Sequence, residues 1–327
     1  MADSEILISV IVPVYNVEAY IERCVASLIR QDFPLEKVEF IFVDDGSADQ
    51  SVPLLRQLLS QNEPFSRRSR IISHDINRGL AVARTTGFHA ANGKYVLSVD
   101  SDDYIEPDML RLLYGDAVNS SADIVLSTFI IEKNGKSKNV GSGHWTPDLN
   151  SMAIDAMNFS LCNKLIRADL LKENQIYGYS DIQCWEDLGV TARIFALKPR
   201  VSFVDKPLYH YVKNPVHRSL TDRVNRDRIL DDHLRMAVEI QSWLTERGLA
   251  EEYEEFLTRL KFCAKVKMMR GKGKQVARWK QTFPEVNSRI LSIRRIPLLY
   301  RLMFKTVALL PTRLVQWIAN RCDLFYR

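Results

Sequence analysis

The chain has 327 residues, 46% hydrophobic and 26% charged, a balance that suits a soluble globular protein of two domains with a sizeable core. No uncharged run approaches the roughly 18 residues of a spanning helix, and the acidic start Met1-Ala2-Asp3-Ser4-Glu5 lacks the basic and then apolar pattern of an export signal. Five cysteines without a C-x-x-C pair, Cys24, Cys162, Cys184, Cys263 and Cys322, read as buried or inert thiols in a reducing compartment and not as a zinc cluster.

In chain order, Ile6–Asn16 is a largely apolar run rich in β-branched residues that predicts a central strand buried on both faces, with Pro13 tolerable only near its end. Ile21, Cys24, Val25 and Leu28 follow at helical spacing. Residues 38–43 predict a second strand ending in Asp44-Asp45-Gly46-Ser47, and the strand, helix, strand order implies a right-handed parallel crossover. Asp49 is expected to cap the next helix, Glu63–Arg70 to form a polar loop, and Arg70–Ser73 a short third strand. Gly79 allows a turn before the small-residue helix of Ala81, Ala83 and Arg84. Tyr95–Val99 predicts a fourth strand running into Asp100-Ser101-Asp102-Asp103, after which Pro107 opens a helix. A strand at 123–128, a loop or hairpin at 132–150, a helix after Glu186-Asp187, and closing strands at 201–204 and 208–212 complete the first part. Beyond about Leu220 the pattern is helical, which predicts a first domain over 1–217 and a helical, basic second domain over 218–327.

Several acidic strand ends on one edge of a parallel sheet are costly unless they share a ligand, and the crevice at that edge is where open α/β sheets bind one. Carboxylates gathered at Asp100–Asp103 call for a hard divalent cation shared with a phosphate; solvated turn residues are the plainer alternative. Neither G-x-G-x-x-G nor G-x-x-x-x-G-K-[ST] occurs, so metal and side chains must manage any phosphates.

The set Val12-Pro13-Val14-Tyr15-Asn16, Val43–Ser47, Asn77–Arg84, Asp100–Asp103 with Pro107, and Glu186-Asp187 resembles the inverting glycosyltransferases of family 2, and the likeness extends over about residues 6–215. The resemblance implies an α/β GT-A fold with a mostly parallel sheet, a nucleotide-sugar donor (UDP-sugar foremost), Mn2+ or Mg2+, and a glycan or polyprenyl-linked acceptor in surface polysaccharide synthesis. It assigns Asp45 to the base, Pro13, Tyr15 and Asn16 to the nucleotide pocket, Arg84 to the neighbourhood of the diphosphate, and Asp102 to the metal with Asp100 and Ser101 beside it. Asp187 becomes the catalytic base. Asn163, Lys164, Trp185 and Glu186 fall near the acceptor. Thr85 departs from the family's Asn at that position. The plainer readings are a turn at Asp44, a helix start at Glu186-Asp187, a structural turn at Asn163-Lys164, burial for Trp185, a surface ion pair for Arg78, and packing for His210 and His217.

The net charge of +5 hides a division: residues 256–327 carry 17 Lys+Arg against 2 Asp+Glu, net +15, and residues 1–255 carry 28 against 38, net −10. From Ile296 onward, Leu299, Met303, Val307, Leu310, Leu314 and Trp317 recur at steps of three and four among arginines. This predicts an interfacial helix on an anionic membrane, placing the protein in the cytoplasm, peripheral on the inner face of the cell membrane. A helix docked on the catalytic domain with a solvated basic face is the alternative. Aromatics do not interleave the basic cluster at 259–280, so no nucleic-acid partner is expected. A non-catalytic membrane-associated scaffold and a nucleic-acid-binding protein are the competing functional readings.

Overall fold

A computed structural model describes residues 5–140, 147–154, 156–213, 226–270 and 276–321. Its contacts divide the chain into two compact units, one of 1–144 with 160–220 and one of 145–159 with 221–327. The first part is therefore interrupted: 145–159, which includes the short helix Ala156–Phe159, joins the helical unit, where Asn150 Oδ1 accepts the Phe256 N–H at 3.0 Å. His217 and the expected junction lie outside the described residues.

The first unit is a nine-stranded mixed sheet. Strands β1 (Ile8–Val14), β2 (Val38–Asp44), β3 (Ser69–Ser73) and β4 (Tyr95–Ser98) run parallel in the order β3-β2-β1-β4. Every residue of β1, β2 and β4 is buried, which is why they read as largely apolar runs instead of alternating ones, with Glu39 of β2 paired to the Ser9 hydroxyl at 2.6 Å. The ladder between β1 and β4 ends at Ile11↔Ser98, so Pro13, with no N–H to donate, costs no sheet bond there. The remaining strands are β5 (Tyr104–Ile105), β6 (Ile124–Lys133), β7 (Lys136–Val140), β8 (Lys164–Arg167) and β9 (Val201–Lys213). β8 is antiparallel between β4 and β6, and β9 is parallel to β6.

Helices α1 (Ile21–Ile29), α2 (Ser51–Ser60), α3 (Glu63–Ser66), α4 (Leu80–Ala90) and α5 (Met109–Ser120) connect these strands. After α6 (Ala156–Phe159) of the second unit come α7 (Ala168–Asn174) and α8 (Glu186–Ala196). α4 lies close on the sheet because its inner residues are small; a methyl at Gly87 would overlap the Ile11 side chain.

Three local expectations change, and the expected loop or hairpin after residue 132 begins as a hairpin. The polar stretch after Asn62 holds a helical turn, α3, capped by the Asn62 side chain on Phe65 N–H at 3.2 Å and anchored by buried Phe65. Asp49 precedes the N-cap Gln50 of α2 and instead accepts the Ser51 N–H at 3.0 Å. The two closing strands are one strand, β9, kept continuous past Pro207 by a register shift at Ser127/Thr128. The hairpin β6–β7 turns through Asn134 and Gly135, both at positive φ.

The second unit is helical, with Met236, Ile240, Phe256, Leu260, Phe262, Trp279, Ile290 and Phe304 in its core. The helix Leu298–Leu309 docks on that core through Phe304, which packs edge-on to Phe262 and stacks on Trp279. Its Leu298, Leu299, Leu302 and Leu309 remain 58%, 78%, 48% and 74% exposed. The apolar stripe expected along residues 296–317 is thus split, with Val307 buried and Leu299 outside. No described helix is long and apolar enough to cross a membrane.

Candidate active site

The carboxyl ends of β1, β2 and β4 open on one edge, and the order β3-β2-β1-β4 puts the topological switch between β1 and β4. Just past β2, Asp44 Oδ1 accepts the Ser47 N–H at 2.9 Å and shapes a tight turn. Gly46 sits in that turn at φ +72°, where a Cβ would come within 2.8 Å of the Ile76–Asn77 peptide. Asn16 adopts φ 51° after β1 and accepts the Ala48 N–H at 2.9 Å, lacing the two loops together. Pro13 is buried beneath them and Tyr15 is exposed.

Asp45 is turned inward. It is 2% exposed, and its oxygens accept from His74 Nδ1 at 2.7 Å, Arg78 N–H at 2.9 Å and Gly79 N–H at 2.8 Å. His74 Nε2 meets Thr86 Oγ1 at 2.9 Å, so Asp45 fastens the 74–79 loop to α4. Asp45, expected at the base, has both carboxylate oxygens engaged by the 74–79 loop.

The four residues after Val99 divide their work. Asp100 Oδ1 pairs with Arg84 Nη2 at 2.7 Å, and its Oδ2 accepts the Cys162 thiol at 3.1 Å. Ser101 is buried. Asp103 is buried and accepts the Tyr209 hydroxyl and the Val212 N–H, each at 2.8 Å, tying the turn to β9. It does not cap α5, whose N-cap is Asp108. Burial, then the charges of Asp102 and Asp100, hold the Asp103 carboxyl well above the usual range. Asp102 is the most exposed of the four, with Asp100 partly exposed beside it. Crowding by surrounding protein and then the Asp100 charge push its pKa up to about 6. A divalent cation would relieve that repulsion.

Among the described residues no group of three or more His, Cys, Asp or Glu side chains could hold a metal ion alone. The donor set nonetheless suits Mg2+ or Mn2+, which take one or two carboxylates and complete their shell with phosphate oxygens and water. Asp102, with Asp100 behind it, offers that number.

The third corner is the first turn of α8. Trp185, half-buried at φ 67°, turns the chain into Glu186 and Asp187, whose carboxylates suit a helix N-terminus. Both pair with Arg84 Nη1, Glu186 at 3.1 Å and Asp187 more closely. Arg84 is 3% exposed. Its guanidinium, expected near the diphosphate, is thus taken up by Asp100, Glu186 and Asp187. Burial raises the Asp187 carboxyl while the Arg84 charge draws it down; burial and then the Asp187 charge push Glu186 up to about 7.

Asn163 and Lys164 do not border an open site. Both are buried: Asn163 Nδ2 donates to Ser127 O at 2.8 Å, and Lys164 Nζ donates to Ser160 O at 2.5 Å and Asn163 Oδ1 at 2.8 Å. Sequence reasoning missed His74, Cys162, Tyr209 and the pairing of His210 with Glu106 and Glu132 at 2.7 and 2.8 Å. A tyrosine and a histidine at adjacent positions of one strand were the available signal for the last two.

The family model for glycosyl transferase family 2 matches residues 9–174. The chain belongs to that family. Among curated family 2 relatives it is 30% identical over 262 residues to the uncharacterized glycosyltransferase EpsJ of Bacillus subtilis, covering 77% of this chain and 73% of that protein. It is also 30% identical over 259 residues to the poly(ribitol-phosphate) beta-N-acetylglucosaminyltransferase TarS of Staphylococcus aureus, covering 77% of this chain and 44% of TarS. A crystal structure of TarS superposes with a TM-score of 0.65 at 25% identity, over 93% of this chain and 55% of that one. This family 2 chain thus spans about half of full-length TarS. The structure of TarS 1–349 with UDP-GlcNAc has a TM-score of 0.66 at 24% identity, over 96% and 91% of the two chains. Fold and family agree on a GT-A-type α/β sheet flanked by helices, followed by a helical region, in a family 2 glycosyltransferase.

Proposed function

We propose that this family 2 enzyme transfers a hexosyl or N-acetylhexosaminyl group from a UDP-sugar, with inversion, to a hydroxyl of a glycan or lipid-linked glycan during surface polysaccharide synthesis. The observation that carries the reading is the joining of Asp100 and Asp187 through one buried arginine, beside solvent-reaching Asp102 at the sheet's switch point. TarS, whose structure is known with UDP-GlcNAc, supports the choice of donor.

Asp187 is the base. It takes the acceptor hydroxyl's proton as that oxygen bonds to the anomeric carbon, and the bond from that carbon to the diphosphate breaks with its electron pair leaving on the nucleotide. One carboxylate suffices for such a single displacement. Asp102 holds the divalent metal with Asp100 behind it, and Ser101 shapes their turn; when bound, the metal neutralises charge on the departing diphosphate. A mannosyltransferase of Pyrobaculum calidifontis with a related fold, TM-score 0.53, is known with GDP-Man and Mn2+. Tyr15 and Asn16, over Pro13, border the nucleotide, and the 74–79 loop held by Asp45 closes the same pocket. Trp185 lies on the acceptor side.

The acceptor reading extends to the membrane. The exposed leucines of the helix Leu298–Leu309, with exposed Arg294, Arg295 and Arg313 nearby in sequence, suit an anionic leaflet on the cytoplasmic side. Two experiments test these statements. Thermal shift with a panel of nucleotide sugars and Mn2+ should show stabilisation by a UDP-sugar, and protection by none of them refutes the donor reading. Full-length protein should sediment with anionic vesicles at low salt and be released at high salt; no vesicle binding at low salt refutes the membrane reading.

A further inference from the structure

Arg84, expected near the diphosphate, is bonded to three carboxylates of the site. Its Nη2 holds Asp100 at the end of β4 and its Nη1 holds Glu186 and Asp187 at the start of α8, segments 16 and more than 100 residues away along the chain. The supporting helix cannot drift, because Gly87 packs against Ile11 and Thr86 bonds His74. A guanidinium is the one side chain whose rigid fork can serve three carboxylates at once. Both of its terminal nitrogens are committed to these carboxylates.

The geometry points to Arg84 as a positioning residue that sets the base: it clamps the first turn of α8 to the Asp100 turn, so that Asp187 is fixed relative to the metal-binding Asp102. The two oxygens of Asp187 are treated differently. Oδ1 is bound by Arg84, whereas among the described residues Oδ2 has a long contact from the Leu161 N–H, 3.4 Å. Oδ2 is therefore the atom that receives the acceptor proton. The other charged or titratable groups around Asp187 are Asp100, Glu186 and Lys164, with the Cys162 thiol on Asp100. Among these Arg84 alone reaches both Asp100 and α8. The inference rests on Asp187 being the base.

The test compares full-length wild type with Arg84→Gln and Arg84→Lys. In Arg84→Gln, kcat should fall about 100-fold, the loss expected of a misplaced catalytic group, with the donor KM within about threefold of wild type. Arg84→Lys, which keeps the charge but not the fork, should recover part of kcat. Amide exchange at 186–190 should quicken about tenfold in Arg84→Gln while β1 stays protected. A raised donor KM with kcat retained would overturn the proposal in favour of a diphosphate contact. So would unchanged exchange at α8. If Arg84→Gln does not fold, Arg84→Lys carries the same measurements, an intermediate kcat with faster α8 exchange being expected and wild-type values in both overturning the clamp. Wild-type turnover by Asp187→Asn would refute the base itself, and amide exchange would still report whether Arg84 holds α8.

Discussion

Burial and charge set the residues of this site against one another, and the sign of each conflict is testable. Glu186 has its folded pKa raised to about 7, against an ordinary value of 4.5, by burial and by Asp187. A carboxyl raised on folding stabilises the protein at pH below its unfolded pKa, and that contribution is lost as pH rises through the folded value, here between about 4.5 and 7. Glu186→Gln stays neutral throughout. Urea melts should find it little changed at pH 4 and more stable than wild type by roughly 1–2 kcal/mol at pH 8; a variant less stable at pH 8 would show that the pair with Arg84 outweighs the repulsion. Asp102 gives a second pH signature. Its carboxyl is raised to about 6, and a cation requires it ionised, so thermal stabilisation by Mn2+ should be present at pH 7.5 and fade as pH falls through 6. Stabilisation by Mn2+ that persists in Asp102→Ala would remove Asp102 from the metal.

Among the elements, the turn after β2 is the least tolerant of change. Gly46 at φ +72° faces the Ile76–Asn77 peptide at 2.8 Å, so Gly46→Ala meets both backbone strain and a backbone clash. It should lower stability by about 1–3 kcal/mol and weaken nucleotide binding by disturbing the 74–79 loop, as read by denaturant midpoint and calorimetry. β1, β2, β4 and their acidic ends were legible in the sequence because strands buried on both faces must be apolar throughout. β8 was not, since its buried Lys164 owes its place to Ser160 O and Asn163 Oδ1, bonds no periodicity announces. β9 was read as two strands because Asp205-Lys206-Pro207 interrupts it, and only the register against β6 shows its continuity. The motif residues themselves were legible, but their partners were not. Arg84 meets Asp187 from 103 positions away and Asp45 meets Gly79 from 34, distances at which sequence carries no local signal.

In the molecule as a whole, an acidic part of residues 1–255, net −10, is followed by a basic part of residues 256–327, net +15. The helix Leu298–Leu309 separates a docked face from an exposed one within one element, because Phe304 is buried and Leu299 and Leu309 are not. Replacing the two most exposed leucines, Leu299→Glu with Leu309→Glu, should leave the melting temperature nearly unchanged and abolish binding to anionic vesicles; retained binding would mean that charge alone, or another surface, makes the contact. Transfer by the Asp187 base is reached most directly by one assay. Wild type and Asp187→Asn are incubated with UDP-GlcNAc, UDP-Glc and GDP-Man in Mn2+ and a glycan acceptor mixture, and nucleotide release is followed. Wild type should release UDP from a UDP-sugar, while Asp187→Asn binds the same donor with similar affinity and releases it at least about 100-fold more slowly. Equal release by the two proteins would contradict the account.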